Sequence, residues 1–292
     1  MADKMELYRE QIEKALIQAI PAPAEEDGRS LVREAMAYSL LCGGKRVRPV
    51  LTLAFCELCG GEPSMALPFA CAVEMVHTYS LIHDDMPCMD DDAMRRGRPA
   101  NHKAYGEAMA LLAGDGLLTL AFETALSFAG DAKAALEGAR LLARRAGHEG
   151  MVGGQCIDLQ SEGREMTVPL LQAMDDGKTV ALIDAACGMG CIAAGAGEEA
   201  LQAARRYAYG LGMAFQLRDD ILDVEGSADK LGKETGMDAA RSKQNYVSLL
   251  GVEEAKRLVN EYTREAVEAL KAFPGEKGFL ESLALSLAAR EN

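Results

Sequence analysis

Proline placement is the strongest constraint on how this chain can fold. After Pro99 no proline appears until Pro169, and after that none until Pro274. Both spans are rich in Ala, Leu, Met, Glu and Arg, the residues that lose least on entering a helix. Neither carries a convincing series of alternating β-branched residues. The expected fold is all-α: a single large helical bundle, one domain over residues 1–292, whose central helices enclose a deep cavity. No linker, low-complexity tract or repeat divides it.

Caps and breakers set the segments. The first helix is expected over residues 3–20, ended by Pro21 and Pro23, and the second over about 30–41, stopped by Gly43-Gly44. Pro49 suits the first turn of a third helix through Leu58. Ser64 is expected to cap a fourth over 66–85, which Pro87 ends because it disfavours α geometry in the residue before it. Further helices are expected over 104–129, 131–147, 149–162, 168–195, 197–225 and 252–271, with glycines at 188, 190, 195 and 197 marking a bend or a close crossing.

The charge narrows the function. Lys plus Arg number 31 against 45 Asp plus Glu, a formal net charge of −14. Such a chain is a poor partner for nucleic acid or an anionic membrane. The N-terminus is charged and amphipathic rather than a signal core, and no uninterrupted apolar run approaches the ~18 residues of a membrane span, so no stable membrane association is expected. The eight cysteines fall mostly in apolar helical patterns and read as reduced thiols of a cytoplasmic protein. Cys56-x-x-Cys59 is a weak redox or zinc signal, since no second pair or nearby His completes it.

One stretch carries unusual chemistry. Asp84, Asp85, Asp90, Asp91 and Asp92 follow an apolar helical run, Arg95 and Arg96 come next, and His77 stands two turns upstream. Like charges so close repel, and each costs free energy to desolvate, so a cation is expected among them. Without a Cys/His set the cation is a hard one, and Mg²⁺ prefers carboxylates together with substrate phosphates. Arg95 and Arg96 are of the type that grips phosphate oxygens. A second acidic cluster lies far downstream: Asp219 and Asp223 are i, i+4 on one helix face, with Gln216 one turn earlier. One such cluster alone reads as a solvated helix end. Two, facing each other across a bundle, would clamp a diphosphate through several Mg²⁺ ions.

These residues match a family. Asp84–Asp90, the following Arg95-Arg96-Gly97, and Asp219–Asp223 resemble the two aspartate-rich motifs of trans-isoprenyl diphosphate synthases. GGKRVRP at Gly43–Pro49, GGQ at Gly153–Gln155, Lys178-Thr179 and Phe215-Gln216 match in the family's order, and four residues between the first aspartates resemble bacterial short-chain, farnesyl-forming members. The resemblance covers nearly the whole chain. It implies an isoprenoid-synthase-like bundle, a homodimer, and Mg²⁺-dependent head-to-tail condensation of isopentenyl diphosphate with dimethylallyl, then geranyl diphosphate. It implies three Mg²⁺ per site, replaceable by Mn²⁺. Asp84, Asp90 and Asp219 are the implied direct ligands, helped by Asp85 and Asp223. Arg95, Lys178 and Lys233 would hold the allylic diphosphate. Gly44, Lys45, Arg48, His77 and Arg96 match the pocket for isopentenyl diphosphate, while oxygens near Lys178, Thr179 and Gln216 would steady the cation. Gln155 and Asp158 are expected beside Lys178, and His83 is expected to bond to a neighbouring helix.

Product length is expected to depend on Tyr79 and Ser80, which lie about 7.5 and 6 Å along the helix from Asp84. A bulky Tyr79 is expected to floor the cavity, and Tyr-Ser there resembles farnesyl-forming members, so a C15 product is expected. The rivals are a C20 geranylgeranyl diphosphate synthase, a class I terpene cyclase and a non-catalytic partner subunit. The cyclase sits poorly with a chain that has no Trp and only 5% aromatic residues.

Overall fold

The computed structural model describes residues 2–20, 28–161, 163–225 and 244–290. Among the described residues the fold is all-α apart from one short hairpin of two two-residue strands. Helices α1 (Ala2–Ala19), α2 (Ser30–Leu40), α3 (Val47–Leu58) and α4 (Leu67–Asp84) lead to the hairpin of β1 (Met94–Arg95) and β2 (Arg98–Pro99). Then come α5 (Asn101–Tyr105), α6 (Glu107–Leu126), α7 (Ala132–Ala146), α8 (Met151–Ser161), α9 (Val168–Asp175), a π-helical turn (Asp176–Val180) and α10 (Ala181–Ala193). The last described elements are α11 (Glu198–Glu225), α12 (Tyr246–Leu250), α13 (Val252–Ala269) and α14 (Gly278–Ala288).

Amphipathic periodicity places the outer helices. In α7 the buried residues are Ala135, Gly138, Ala139, Leu142 and Ala146, a single stripe at helical spacing. The central helices differ. α10 is buried along its entire length, and α4 from Phe69 to Val76 without a break, so both are wrapped by neighbours on every side. α4 packs on α3 and α6, α10 on α3, and α11 on α13. One apolar cluster fills the space around α3, α4 and α10. A second, with Leu171, Val180, Met213, Leu217 and Tyr246, lies between α9, α11 and α12.

Several boundaries depart from the sequence expectation, each for a local reason. The helix expected over 104–129 is split at Gly106, whose φ of +85° breaks the ladder between α5 and α6. The segment expected as one helix over 168–195 changes pitch at the π-helical turn, upstream of the glycines expected to bend it. Ser64 does not cap α4; it lies in a 3₁₀ turn (Pro63–Ala66), and its hydroxyl hydrogen-bonds Glu62 at 3.4 Å. Two helices, Pro63–Asp84 and Glu107–Leu126, are long and apolar enough to cross a membrane by length and composition, with 67% and 33% of their apolar windows buried inside the protein.

One buried ion network ties the N-terminal third together. Arg46 has φ +51° and is only 2% exposed. Its guanidinium donates to Glu74 on α4 at 2.6 Å, to Glu13 on α1 at 2.7 Å and to the Leu40 carbonyl at 2.7 Å. It thereby fixes the loop that carries Lys45 and the first turn of α3, which carries Arg48. Removing one partner of a buried pair leaves the others uncompensated. Arg46→Ala is therefore expected to lower stability by about 3 kcal/mol in urea unfolding, and a loss under about 1 kcal/mol would show the network to be dispensable.

Candidate active site

α4 ends in the first acidic set. Asp85, 2% exposed, accepts from Arg95 Nε at 2.9 and 3.2 Å and also from its Nη2. Arg95 reaches Asp92 at 3.3 Å as well. Burial raises the Asp85 carboxyl, against the pull of Arg95. Asp84 is less well served: burial and the nearby Asp90 push it up to about 6, opposed by Lys178 and Arg95. The turn that follows is closed by main-chain bonds, Asp90 N–H to Asp84 O at 2.8 Å and Asp91 N–H to Met86 O at 3.1 Å. Asp90 is thus folded back toward Asp84.

Lys178 stands opposite. Its ammonium pairs with buried Asp158 on α8 at 2.5 Å, and Asp158, Asp84 and Asp90 all raise it against the cost of burial. A backbone contact makes this possible. A Cβ on Gly154 would sit 2.1 Å from Lys178 N, and one on Gly177 would sit 2.7 Å from Gly154 Cα, so only glycine lets α8 and the π-helical turn touch. The next residue, Thr179, shares a hydrogen bond with Gln216 Oε1 at 3.1 Å. Gln216 is one turn before Asp219 on α11. Lys178 thus faces the α4 acids, while Thr179 beside it reaches Gln216 on α11.

The second set is held in its own way. Asp219 forms an ion pair with Arg290, whose guanidinium also lies 4.0 Å from the Phe215 ring centre. Asp220 accepts the Tyr246 main-chain N–H at 2.9 Å. Asp223 is half-buried one turn beyond Asp219. Arg290, Tyr246 and Asp175 were not singled out from the sequence. Asp175, three residues before Lys178, is buried beside Asp158 and Tyr246, and burial lifts its carboxyl to about 7; that spacing was the available signal. Arg290 and Tyr246 belong to no motif.

A cationic pocket lies alongside. Burial and then the charges of Arg48, Arg96, Arg46 and Arg95 hold His77 well below its ordinary value, so it is neutral at pH 7. Burial also lowers Arg48, aided by Arg96 and opposed by Glu74. Gly44 is held at φ +126°, a conformation that favours glycine, and the Arg96 guanidinium occupies the space beside it, 2.7 Å from where a Cβ would be. Arg96 also donates to the Gly43 carbonyl. Lys45 is exposed at the rim. Glu74 is engaged by Arg46, and the positive charge of Arg48 and Arg96 gathered here suits an anion.

A cavity of about 620 Å³ brings Asp84 of the first set together with Lys178 and with Arg48 and His77 of the cationic pocket; Asp219 and Asp223 are not among its lining residues. Arg48, His77, Asp84, Lys178 and Thr179 line it, and Tyr79, Ser80, Met151, Leu159 and Leu182 form much of its apolar wall. Tyr79 is 7% exposed and meets the His83 ring edge-on at 5.7 Å. His83 Nε2 lies 3.2 Å from Leu111 O on α6, bonded to a neighbouring helix. Gln155 also lines the cavity, with its Nε2 buried and unpartnered. Lys233 lies outside the described residues.

With this geometry in hand, comparison with known proteins is decisive. A family model described as polyprenyl synthetase matches residues 29–274. The chain belongs to the polyprenyl synthetase family. A farnesyl diphosphate synthase of Bacillus subtilis is 44% identical over 264 residues, covering 89% of each chain. Geranylgeranyl pyrophosphate synthase 3 of Arabidopsis thaliana is 48% identical over 268 residues, covering 89% of this chain and 74% of that one. Among solved structures, an FPP/GFPP synthase from Zymomonas mobilis superposes with a TM-score of 0.88 at 36% identity, covering 98% of this chain and 97% of that one. A geranylgeranyl pyrophosphate synthetase from Pyrococcus horikoshii gives 0.90 at 30% identity, with coverage of 99% and 98%. The protein is a polyprenyl synthetase of the short-chain prenyltransferase kind, a transferase of isoprenoid biosynthesis.

The polyprenyl synthetases use Mg²⁺ with allylic and isopentenyl diphosphates, and the residues here suit such an ion. Asp84 carries an unbalanced charge beside Asp90, and the donors are all hard oxygens. Among the described residues no three His, Cys, Asp or Glu form a metal site by themselves. Two-acid arms of this sort fit a cation whose remaining ligands are water and phosphate oxygens. Because the folded protein holds the Asp84 proton more tightly than the unfolded chain does, stability without metal falls as pH rises from about 4 to about 6 and stays lowered above that. Asp84→Asn is expected to stabilise the metal-free protein by about 1–2 kcal/mol at pH 7, while losing the rise in melting temperature produced by Mg²⁺ plus pyrophosphate. A variant less stable than the parent in chelator would contradict this.

Proposed function

We propose that the chain, acting as one synthase domain, condenses isopentenyl diphosphate with dimethylallyl and then geranyl diphosphate, head to tail, giving C15 farnesyl diphosphate. The observation that carries this reading is that acid, cation and apolar floor share one cavity: Asp84 and Lys178, Arg48 and His77, and Tyr79 all line it.

The chemistry assigns the roles. The allylic C–O bond breaks, so negative charge grows on the departing diphosphate, and cations preset around it lower the barrier. Lys178, oriented by Asp158, and Arg95, oriented by Asp85, hold that diphosphate; Lys233 is a third proposed contact. Asp84, Asp90 and Asp219, with Asp85 and Asp223 in support, are the proposed metal residues. Bound Mg²⁺, three ions in this proposal and replaceable by Mn²⁺, supplies positive charge to the phosphate oxygens. Isopentenyl diphosphate keeps its diphosphate, which needs only the basic pocket of Gly44, Lys45, Arg48, His77 and Arg96. A neutral His77 serves as hydrogen-bond donor there. The allylic cation forms among apolar walls that exclude water, steadied by the oxygens of Thr179 and Gln216, and the C4 carbon of isopentenyl diphosphate attacks it. The released diphosphate takes the final proton.

The burial of Tyr79 and its place among the cavity's lining residues, five positions before Asp84 on α4, support the C15 reading. The second reading is a C20 product, favoured by the similarity to the geranylgeranyl enzymes. A homodimer in the cytoplasm completes the proposal, supported by the outward leucines of α6, Leu111, Leu112 and Leu126, each 46–54% exposed. One relative is named as the large subunit of a heterodimeric synthase, and turnover by this chain alone would exclude a dependent subunit here.

Purified protein given Mg²⁺, isopentenyl diphosphate and geranyl diphosphate is expected to make C15 product by mass spectrometry, and Tyr79→Ala is expected to extend it to C20 or beyond. No elongation at all would overturn the reading. An unchanged C15 product from Tyr79→Ala would remove Tyr79 as the floor.

A further inference from the structure

Cys59 and Cys191 lie outside the chemistry above, and their arrangement is specific. Cys56 and Cys59 occupy the last turn of α3 and its C-cap, where the spacing resembles a redox motif. They are not each other's contact. Cys56 Sγ is engaged with the Glu62 carbonyl at 3.4 Å, whereas Cys59 Sγ lies 3.7 Å from Cys191 Sγ on α10, 132 positions away in the chain. Among the described residues no other two thiols are in hydrogen-bonding contact.

The backbones beneath this pair already touch. A Cβ on Gly190 would fall 2.3 Å from Thr52 O and 3.0 Å from Cys56 N, and one on Gly61 would fall 2.8 Å from Ala194 Cβ. α3 and α10 therefore meet at glycine contact distance at Gly190, next to Cys191, and the segments just past both helices meet at Gly61 and Ala194. A disulfide requires such close approach of the backbones, with only side-chain rotation left to bring the sulfurs together. Access is asymmetric as well. Cys59 is half-exposed, while Cys191 is buried behind it. Their mutual contact lowers the Cys59 thiol, and the same contact, followed by burial, raises Cys191. Cys59 is thus the thiol of the pair that solvent reaches.

We propose that Cys59 and Cys191 form an oxidant-addressable thiol pair, a modification site in which Cys59 reacts with a peroxide and Cys191 resolves it to a disulfide. The Cys59 thiolate attacks one oxygen of hydrogen peroxide; the O–O bond breaks and the other oxygen leaves as water after taking a proton. The sulfur of Cys191 then attacks the Cys59 sulfenic acid; the S–O bond breaks, and the hydroxyl leaves as water with the Cys191 proton. Two thiols lose two electrons and one peroxide becomes two waters. Because the resolving thiol is in contact, the sulfenic acid is consumed before a second peroxide reaches it. The product staples α3 to α10 across a long loop, which constrains the unfolded chain.

The test is mass spectrometry of the purified full-length chain, reduced, desalted and treated with hydrogen peroxide, then digested without reductant. The expected result is one cross-linked peptide joining Cys59 to Cys191, two hydrogens lighter than its parts, reversed by dithiothreitol and absent from Cys59→Ser. The melting temperature is expected to rise on oxidation by about 5 °C or more, with no rise in the serine variant. The proposal is overturned if Cys59 acquires sulfinic or sulfonic oxygens, pairs with another cysteine, or stays a free thiol after exposed Cys88 has reacted. A fall in melting temperature on oxidation would equally overturn it, since the pair must close without strain.

Discussion

An apolar helix that terminates in two carboxylates is the constraint on which this structure rests. α4 must be buried to hold the bundle together, and burying it draws Asp84 and Asp85 out of water. The fold answers the two unequally. Asp85 receives the forked guanidinium of Arg95 and is neutralised in place. Asp84 faces Lys178, but Asp90 is folded toward it by the turn, and its carboxyl remains pushed up. The residual charge points into the cavity and is what a hard cation would offset.

The neighbouring elements follow from that need. Lys178 must come close to α4, so the chain changes pitch before it, and paired glycines let α8 and the π-helical turn touch. Asp158 then orients the ammonium, and Thr179 reaches Gln216 on α11. On the other side, the Arg46 network ties α1, α3 and α4 together and presents Arg48 to the cavity near neutral His77. Two differently built charge clusters result, one of acids around Asp84 and one of arginines around His77, and the proposed function gives each a diphosphate. That division suits a reaction in which one diphosphate leaves and the other stays.

Much of this was legible in the sequence because it depends on local rules. Proline and glycine punctuation set the helices, and aspartate spacing marked both acid sets. The π-helical turn was not legible: a long run of helix formers gives no sign that Gly177 must meet Gly154 rather than continue an ordinary helix. Nor was the break at Gly106, where one positive φ overrides strong flanking propensity. Within the site, motif spacing pointed to Lys178 and Asp158, but not to Asp175 or Tyr246, whose positions depend on tertiary packing. Arg290, close to the end of the chain, reaches Asp219 only once the fold is closed. The Cys59–Cys191 contact was hidden for the same reason, and the misleading signal was the local Cys56–Cys59 spacing.

The central claim is that two distant acid sets act on one diphosphate through shared cations. A double-mutant cycle tests it most directly: calorimetric binding of pyrophosphate in the presence of Mg²⁺ to the parent, Asp84→Asn, Asp219→Asn and the double variant. Shared action predicts non-additive losses, with a coupling of about 1 kcal/mol or more. Losses that add to within about 0.3 kcal/mol would mean that the two sets bind independently, and would contradict the account.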